Sequence, residues 1–511
     1  MKTEGVKYNE SNLLVKSILA LLTLIWTLVA VPTVWLHASI TCLYKKGVMS
    51  EASNYRGISI GANMSRILAK VILARFNEAY EKHLGESQFG FRSKKSTSDA
   101  MFVVNSIVEK HGGPLIAVYI DLTAAYDHIP RDFLFRVLEL RTGAYHLVAI
   151  LRKMYNGTTA VIKGMSSIFQ VLVGCRQGGQ ESPCLFNYYF DFVLKVAASE
   201  IDKRFPEGWG IKINYRISHL CTNREQRRSG RLHGAEIIQW ILYADDAVLF
   251  CKTPEEAQEV LTIINTTCKR FGLTISFKKT KTQVFNDDTL AKMDSLFSVD
   301  GHVVENVQDF IYLGQSFTNN EENCLTDYRI ARATAKFNEL RKALCDSKIR
   351  LKTRRKLLES VVRSRLTYGL QACYPKEAQM KKLEACWSGF LRSMVRGGWR
   401  KKKSENEEES FSLVYTNETI QQIINSAPLR NFVNSQYLKY IGHVCRSGNS
   451  SLTKILLFAQ PERRFLRDPW IKISQLLGVS SDQAKRMTQS RSEFAGMIHE
   501  HVMSPPQRQL R

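Results

Sequence analysis

The stretch that decides the fold is Trp240-Ile-Leu-Tyr-Ala-Asp-Asp-Ala-Val-Leu-Phe250. Two adjacent carboxylates, Asp245 and Asp246, lie within an apolar run, and such runs are typical of buried strands. Two ionised carboxylates at the turn of a buried hairpin repel each other and lose hydration, so a divalent cation beside them would stabilise the turn. Oxygen ligands of this kind suit Mg²⁺. An ordinary Asp-Asp turn without a metal is the alternative, and this stretch alone fits both interpretations.

A second acidic strand end favours the metal site. Residues 115–120 form another apolar, β-branched run, which ends on Asp121. One carboxylate from this strand and two from the hairpin would make a three-carboxylate cluster. Such a cluster holds two metal ions about 3.5–4 Å apart and stabilises the attacking and leaving oxygens of a phosphoryl transfer. For Asp121 alone, a strand-end aspartate without a metal is the alternative.

Further motifs surround these acids, and their order along the chain is informative. They lie at residues 43–47, 54–60, 88–92, 121–127, 174–187, 243–246, 272–281, 310–314 and 437–446. Together they resemble the motifs of the reverse transcriptases of non-LTR (LINE-type) retrotransposons, in that family's order, from about Trp35 to about Arg446.

The resemblance implies an α+β right-hand polymerase fold. Fingers with an apolar N-terminal helix would cover residues 1–115, and the palm, an antiparallel sheet packed on helices, would carry the carboxylates over 116–320. A helical thumb would cover 321–400, followed by a linker and a C-terminal helical extension over 401–511.

The activity that the resemblance implies is RNA-directed DNA polymerisation, in which a primer 3′-hydroxyl is extended with dNTPs on an RNA template by two-metal phosphoryl transfer. Asp121, Asp245 and Asp246, with the backbone carbonyl of Leu122, would hold two Mg²⁺ ions, for which Mn²⁺ could substitute. Lys279 would donate a proton to the leaving pyrophosphate.

Nucleotide contacts are implied at two places in the sequence. The candidates are Lys45, Lys46 and Arg56 for the triphosphate, Gln177 for the sugar, Gly178 for close backbone approach, and Tyr126 as the steric gate. Tyr126 lies five residues past Asp121, where its ring would exclude a ribose 2′-hydroxyl. A packing role in the core is the alternative for Tyr126, and the two roles are compatible.

Primer and template contacts are implied for three further groups of residues. They are Arg92, the hairpin residues Tyr312, Leu313 and Gly314, and the basic residues Arg354, Arg355 and Lys356. The basic residues belong to a run at 348–356 beside an apolar helical repeat, which is typical of a thumb that presses a positive face on a duplex backbone. A solvated face is the alternative for such a run.

One segment departs from the family's pattern. Gly179, Gln180 and Glu181 replace the usual Asp, Pro and Leu, and Gly57 replaces a Pro. We expect Glu181 to bring a negative charge near template and nucleotide. The second hypothesis is therefore a catalytically weakened or inactive nucleic-acid-binding remnant. A group II intron maturase-like protein is a third, and the Gly442-His443 segment argues against it.

Composition agrees with a polyanionic partner. The 511 residues include 72 Lys and Arg against 48 Asp and Glu, a formal net charge of +24. Nucleic acid is the leading candidate partner, and a basic solvated surface is the alternative. Eleven cysteines without CxxC spacing predict neither a disulfide framework nor a zinc site. No obligate protein partner is evident.

Three segments lie outside these motifs. Residues 17–34 are almost wholly apolar and contain Pro32, which favours a buried fingers helix over a membrane span, with membrane association left open. The arginine-rich insertion at 221–231 predicts a surface loop, and the charge reversal after Trp399 predicts an exposed linker.

The expected location of the protein is the nucleus or cytoplasm. Family members usually carry an endonuclease, which is not expected here because the chain begins almost at the fingers.

Overall fold

The computed structural model describes residues 13–45, 47–216, 233–318, 324–395, 399–402, 410–413, 415–459 and 469–503, and all structural statements concern these residues. Lys46 and the insertion at 221–231 lie outside them.

Helices and strands alternate over the first half of the chain. In chain order they are α1 (Leu13–Leu28), β1 (His37–Tyr44), β2 (Tyr55–Gly61), α2 (Asn63–Tyr80), α3 (Thr97–Lys110), β3 (Leu115–Ile120), α4 (Arg131–Thr142), α5 (Tyr145–Tyr155), β4 (Thr159–Ile162), β5 (Ile168–Gln170), α6 (Ser182–Arg204), β6 (Ile211–Arg216), β7 (His233–Ile238), β8 (Trp240–Tyr243) and β9 (Asp246–Cys251).

The second half becomes mainly helical after its first strands. Its elements are α7 (Pro254–Arg270), β10 (Lys281–Phe285), α8 (Asp288–Ala291), β11 (Ser295–Val299), β12 (His302–Asn306), β13 (Asp309–Tyr312), β14 (Gln315–Thr318), α9 (Cys324–Leu344), α10 (Leu351–Leu357), α11 (Ser364–Thr367), α12 (Glu377–Val395), β15 (Trp399–Lys402), β16 (Ser410–Leu413), α13 (Asn417–Ile424), α14 (Leu429–Arg446), α15 (Leu452–Phe458), α16 (Pro469–Leu477), α17 (Ser481–Met487) and α18 (Arg491–Ile498).

The centre of the fold is a six-stranded sheet with the order β11-β12-β10-β3-β9-β8. β3 is buried along its whole length because both faces of the sheet are covered. Alternate residues of β3 face two different cores: Ile116, Val118 and Ile120 pack with α6 and α7, whereas Leu115, Ala117 and Tyr119 pack with α3 and α15. Burial on both faces explains why the strand is an uninterrupted apolar run in the sequence.

A smaller sheet joins the N-terminal part to the palm. Its order is β2-β1-β4-β5, in which β1 pairs antiparallel with β2 and parallel with β4. β1 therefore bonds directly to β4, a strand that follows the first catalytic motif in sequence. The predicted domain boundaries at residues 115, 320 and 400 stay predictions.

The apolar N-terminal segment forms α1, which packs on one face only. Ile25 is buried, and Leu21, Leu22 and Trp26 pack against the main core. The opposite face leaves several large apolar side chains exposed, namely Leu13, Leu14, Leu19, Leu24 and Leu28. The prediction that this helix is buried therefore holds for one of its faces only. None of the helices in the described ranges combines the length and apolarity needed to cross a bilayer.

The predicted helical thumb is present from α9 onward. The predicted apolar repeat comprises Ala333, Phe337, Leu340 and Leu344 at three- and four-residue spacing. Three of these side chains are buried in a separate core with α12, and Leu340 packs partly buried against that core. Within the segment predicted as an exposed linker after Trp399, β15 and β16 pair as an antiparallel ladder. The exposure of that segment stays a prediction.

Candidate active site

The two central carboxylates lie at the tip of the β8–β9 hairpin, as predicted. Tyr243 pairs with Asp246, so Ala244 and Asp245 form the turn. Ala244 has a φ of 58°, in the left-handed region that glycine or asparagine usually occupies. A non-glycine residue there costs about 1–3 kcal/mol, so neighbouring contacts must hold the turn in place.

Those contacts come from the segment around Gln88. The Phe89 amide donates to the Leu242 carbonyl at 2.8 Å, and the Leu242 amide donates to Ser87 at 2.9 Å. The Gln88 side-chain oxygen accepts from the Ala244 amide at 3.3 Å. A Cβ on Gly90 would lie 2.4 Å from the Ala244 nitrogen. The motif at 88–92 therefore supports the hairpin, a role that the sequence pattern did not predict.

The third carboxylate comes from the neighbouring strand. Ile120 pairs with Ala247, so the register places Asp121 opposite Asp246. Burial raises the pKa of Asp246 to about 6, and the charges of Asp245 and Asp121 add to that rise. Burial also raises the pKa of Asp245, which Asp121 raises further while Arg56 and Lys279 oppose the change. The three acids are therefore close enough to repel one another.

Lys279 compensates part of this charge. Its Nζ lies 2.9 Å from Oδ1 of Asp121. The pairing of Lys281 with Tyr119 explains the contact, because the same antiparallel register continued by two residues sets Lys279 beside Asp121. Leu122 bridges to Ile275 on the same side of the sheet. The structure thus brings together Asp121, Leu122, Asp245, Asp246 and Lys279.

The donor set fits a divalent cation by its chemistry. Burial raises the pKa of Asp246 and repulsion by Asp245 and Asp121 raises it further, and a cation bound there would relieve that repulsion. As the side chains stand, no three His, Cys, Asp or Glu in the described part of the chain converge on one metal position. The ammonium of Lys279 already binds one oxygen of Asp121, which is one reason why the three carboxylates do not converge on a single position.

The β13–β14 hairpin, predicted to contact the primer, lies beside the acids. A cavity of about 170 Å³ is lined by Asp121, Asp246 and Lys279 on one side and by hairpin residues on the other. Leu313 and Gly314 form the hairpin turn, with φ values of 49° and 78°. Tyr312 is buried although it lines this cavity, and its predicted contact with the primer stays a prediction. Ile311, which also lines the cavity, is exposed.

The thumb is tied to this hairpin by two side chains. Arg329 donates from Nη2 to the Gly314 carbonyl at 2.6 Å, and the Tyr368 hydroxyl donates to the Leu313 carbonyl at 3.1 Å. Arg329 is buried, and its guanidinium lies over the Tyr368 ring. It therefore fixes the hairpin rather than presenting charge to a duplex.

The predicted steric gate, Tyr126, has one face in the core. It stacks on Phe186 with the ring centroids 4.8 Å apart. Burial raises the pKa of Tyr126, and the charge of Asp245 raises it further, which places the ring near the catalytic hairpin. Both roles considered for Tyr126 thus fit its position.

The fingers strand β2 meets the loop that carries Gln177. The Ser59 amide donates to the Gln177 carbonyl at 2.6 Å. Gly178 has a φ of 108°, and a Cβ there would lie 2.8 Å from the Ser59 carbonyl oxygen. Close backbone approach therefore requires glycine at 178.

The predicted triphosphate contacts are exposed on β2 and at the end of β1. Arg56 is exposed on β2, and its charge opposes the rise in the pKa of Asp245. Lys45 is exposed too, and its charge lowers the pKa of Asp127, which burial raises. Lys46 lies outside the described residues.

Arg92 is held by partners within the fold. Its guanidinium pairs with Glu81 at 2.7 Å and donates to the carbonyls of Gly85 and Gln88. The side chain is only 5% exposed. Most of its N–H donors are thus occupied internally, and its predicted primer or template contact stays a prediction.

Two of the three predicted thumb contacts are also internal. Arg354 donates to the carbonyls of Ile349, Leu344 and Met394. Arg355 donates to the carbonyl of Asn425. Both arginines donate to carbonyls at helix ends that lack intrahelical partners, namely those of Leu344 and Met394 for Arg354 and that of Asn425 for Arg355. Lys356 is exposed, as predicted.

The Glu181 side chain does not point in the direction that the sequence suggested. It is 4% exposed, and its Oε1 accepts a hydrogen bond from the Tyr155 hydroxyl at 2.9 Å. The carboxylate is buried against Tyr155 and points into the molecule. The exposed negative charge that the sequence suggested at this position is therefore not found.

The family is decided by the match over residues 43–317, more than half of the chain, to the family described as "Reverse transcriptase (RNA-dependent DNA polymerase)". The chain belongs to the reverse transcriptase family. Membership confirms the predicted resemblance to reverse transcriptases and the α+β right-hand polymerase fold.

Relatives of this reverse transcriptase are distant. An uncharacterized 91 kDa protein in the cob intron of Schizosaccharomyces pombe is 24% identical over 259 residues, which cover 46% of this chain and 31% of that protein. The Pol polyprotein from the type-1 retrotransposable element R2 of Popillia japonica is 22% identical over 316 residues, 59% of this chain and 40% of that protein. The chain therefore spans less than half the length of these curated relatives.

Similar solved structures include an apo telomerase from Candida tropicalis. It is 10% identical, with a TM-score of 0.43, and the match covers 94% of this chain and 74% of that chain. Since that score is low, the fold assignment rests on the family match.

Proposed function

We propose that this reverse transcriptase extends a DNA primer with dNTPs on an RNA template, as the polymerase of a non-LTR retrotransposon. The observation that carries the proposal is the meeting of Asp121, Asp245 and Asp246 at adjoining strand ends, beside the cavity under the β13–β14 hairpin. The match to a retrotransposon Pol polyprotein supports the biological setting.

The mechanism assigns one task to each part of the site. The three carboxylates and the Leu122 carbonyl would hold two Mg²⁺ ions, which lower the pKa of the primer 3′-hydroxyl and stabilise the leaving oxygen. The β13–β14 hairpin positions the primer end over Asp121 and Asp246. Positioning and charge neutralisation are the main demands of this reaction.

The fingers and Lys279 handle the nucleotide. Arg56 and Lys45 attract the triphosphate, and the Tyr126 ring closes the space beside the sugar. Lys279 would leave Asp121 when a bound cation neutralises that carboxylate. It would then be free to donate a proton to the pyrophosphate. Its side chain is 64% exposed, so this movement breaks no packing.

The test is primer extension by purified protein with Mg²⁺, dNTPs and a primed RNA template. We expect Asp245→Asn or Asp121→Asn to lower the extension rate at least about a hundredfold, because a lost metal ligand removes several kcal/mol of transition-state stabilisation, at about 1.4 kcal/mol per tenfold. Template binding should change little. Asp288→Asn, at an exposed position in α8, is the matched control and should keep the parental rate.

Near-parental extension by the Asp245 and Asp121 variants would overturn the metal assignment. The alternative of an inactive nucleic-acid-binding remnant predicts RNA binding without extension in the parent protein as well. Its main sequence argument is weakened, since Glu181 is turned into the fold.

A further inference from the structure

A second, larger cavity lies outside the catalytic site. Its volume is about 790 Å³, and it is enclosed between residues 81–99 and the C-terminal helices α14 and α18. Its wall continues directly from the segment at 87–90 that supports the catalytic hairpin. The C-terminal extension therefore builds a groove that is connected by the chain to the active site.

The groove is positively charged. Six Lys or Arg side chains line it, against three acids. Each acid has a partner within the fold: Glu81 pairs with Arg92, Glu86 pairs with Lys95, and Asp99 accepts from Ser96 in a helix cap.

Three of the basic side chains have no such partner. Lys94, Lys439 and Arg491 are exposed and form no ion pair or side-chain hydrogen bond within the described ranges. They come from three separate parts of the chain. The positive charge of the groove is thus a product of the tertiary structure.

Like charges meet at one end of the groove. Lys439, His443 and Arg446 follow a three- to four-residue spacing, so they share one face of α14. Burial lowers the pKa of Arg446, and the charge of Arg491 lowers it further. An anion bound between these two guanidiniums would relieve the repulsion. Hydroxyl groups of Ser93 and Ser450 supply further donors at the same wall.

We propose that this groove binds the sugar–phosphate backbone of a single-stranded RNA segment that continues from the template–primer. The inference rests on the proposed function for the presence of that RNA. The volume is in the range of sites that hold one compact ligand, which admits a short single strand and is too small for a duplex. The two lining aromatic residues, Phe89 and Phe494, are buried, so recognition is by phosphate contact and is independent of sequence.

The experiment compares two double variants of the full chain. Lys439→Glu with Arg491→Glu reverses two groove charges. Lys203→Glu with Lys292→Glu, at exposed positions elsewhere, is the control with the same net charge. Binding is measured by fluorescence anisotropy with three RNA–DNA hybrids: blunt, with a single-stranded 5′ extension of the template, and with a single-stranded 3′ extension.

We expect the parent and the control variant to bind one extended hybrid at least tenfold more tightly than the blunt one. The groove variant should lose that gain and keep its affinity for the blunt hybrid. The dependence of the gain on salt should also flatten by roughly one to two units of log–log slope, at about 0.7 per lost phosphate contact on a single strand. The extension that shows the effect identifies which end of the template occupies the groove.

Two outcomes would overturn the inference: an equal gain in both double variants, or no gain from either extension in the parent. Thermal unfolding of both variants checks folding, and Lys439→Gln with Arg491→Gln repeats the test without charge reversal. These are binding measurements, so they remain informative if extension fails. If the groove variant extends a primer on the blunt hybrid normally and also binds the extended hybrids as tightly as the parent does, the groove inference is refuted. The proposed polymerase function is then unaffected.

Discussion

At the scale of single residues, Tyr126 combines a packing role with the proposed position beside the nucleotide. One face of its ring stacks on Phe186, and the charge of Asp245 reaches its hydroxyl. In the proposed function the ring, rather than the hydroxyl, would fill the space that a ribose 2′-hydroxyl needs.

We therefore expect Tyr126→Ala to raise rNTP incorporation relative to dNTP, measured as the ratio of the two kcat/KM values. Tyr126→Phe keeps the ring and should keep the parental ratio. Because the Ala variant also removes a partly buried aromatic ring, its stability should fall by up to about 3 kcal/mol, so the assays belong well below its Tm. An unchanged ratio in Tyr126→Ala would leave Tyr126 as a packing residue only.

Gly90 is a second single position with a large expected effect. A methyl group there would meet the backbone of Ala244 at 2.4 Å, so the catalytic hairpin would have to move. Misplacement of reacting groups by about 1 Å can cost roughly a hundredfold in rate. We expect Gly90→Ala to lower single-turnover extension by about that factor while the protein still folds.

Gly389→Ala is the matched control for Gly90. Gly389 is inside α12, and a methyl group on its Cα would have no neighbouring atom within 4 Å among the described residues. Its extension rate should be unchanged, and its Tm should rise slightly, since alanine is favoured over glycine in a helix by about 1 kcal/mol. Equal rates for Gly90→Ala and Gly389→Ala would show that the hairpin tolerates the shift.

At the scale of elements, α10 separates two roles within one basic run. Lys352 and Lys356 are exposed and four residues apart, so they share a face, whereas Arg354 binds three backbone carbonyls. The exposed lysines are available to a duplex backbone. Arg354 holds α10 against the ends of its neighbouring helices.

Two variants of α10 should therefore behave in opposite ways. Lys352→Gln with Lys356→Gln should leave the Tm nearly unchanged and weaken template–primer binding, flattening its salt dependence by roughly one to two units of slope. Arg354→Gln should lower stability by about 1–3 kcal/mol, because buried carbonyls lose their donor. A salt series and thermal unfolding measure the two effects. If the salt dependence of binding in the lysine variant is as steep as in the parent, Lys352 and Lys356 lie on a solvated face that does not contact the duplex.

At the scale of the whole molecule, the C-terminal extension shares a core with the palm. Leu452 and Leu456 of α15 are buried in the same cluster as Val248 and Phe250 of β9. Lys110 of α3 donates to the carbonyl of Ala459 at 2.8 Å, and burial lowers the pKa of this lysine to about 8. The extension and the catalytic sheet should therefore unfold together.

We expect Leu456→Ala to destabilise the protein by about 2–5 kcal/mol and to lower the Tm of the main unfolding transition. Leu140→Ala is the control, because Leu140 is 62% exposed and its loss should change stability by no more than about 0.5 kcal/mol. A separate early transition in Leu456→Ala would mean that the extension folds independently of the palm.

Much of the fold could be predicted from local patterns. β3 and β9 are apolar runs because both faces of the sheet are covered. Asp121 follows the last residue of β3 and Asp246 is the first residue of β9, so each acid lies at a strand end. The thumb helices follow from the spacing of Ala333, Phe337 and Leu344. These features depend on neighbours in sequence, which is why the sequence alone determined them.

Which charged groups face solvent depends on how the chain folds, and the local sequence pattern does not specify it. Arg354 and Lys356 lie two residues apart in one basic run, yet one caps helix ends and the other is exposed. Arg92 and Glu181 were expected to face nucleic acid, and both are turned inward by carbonyl, carboxylate or hydroxyl partners distant in sequence. A charge pattern does not specify such partners, because burial and hydrogen bonding of an ionic group depend on atoms that only the folded chain brings together.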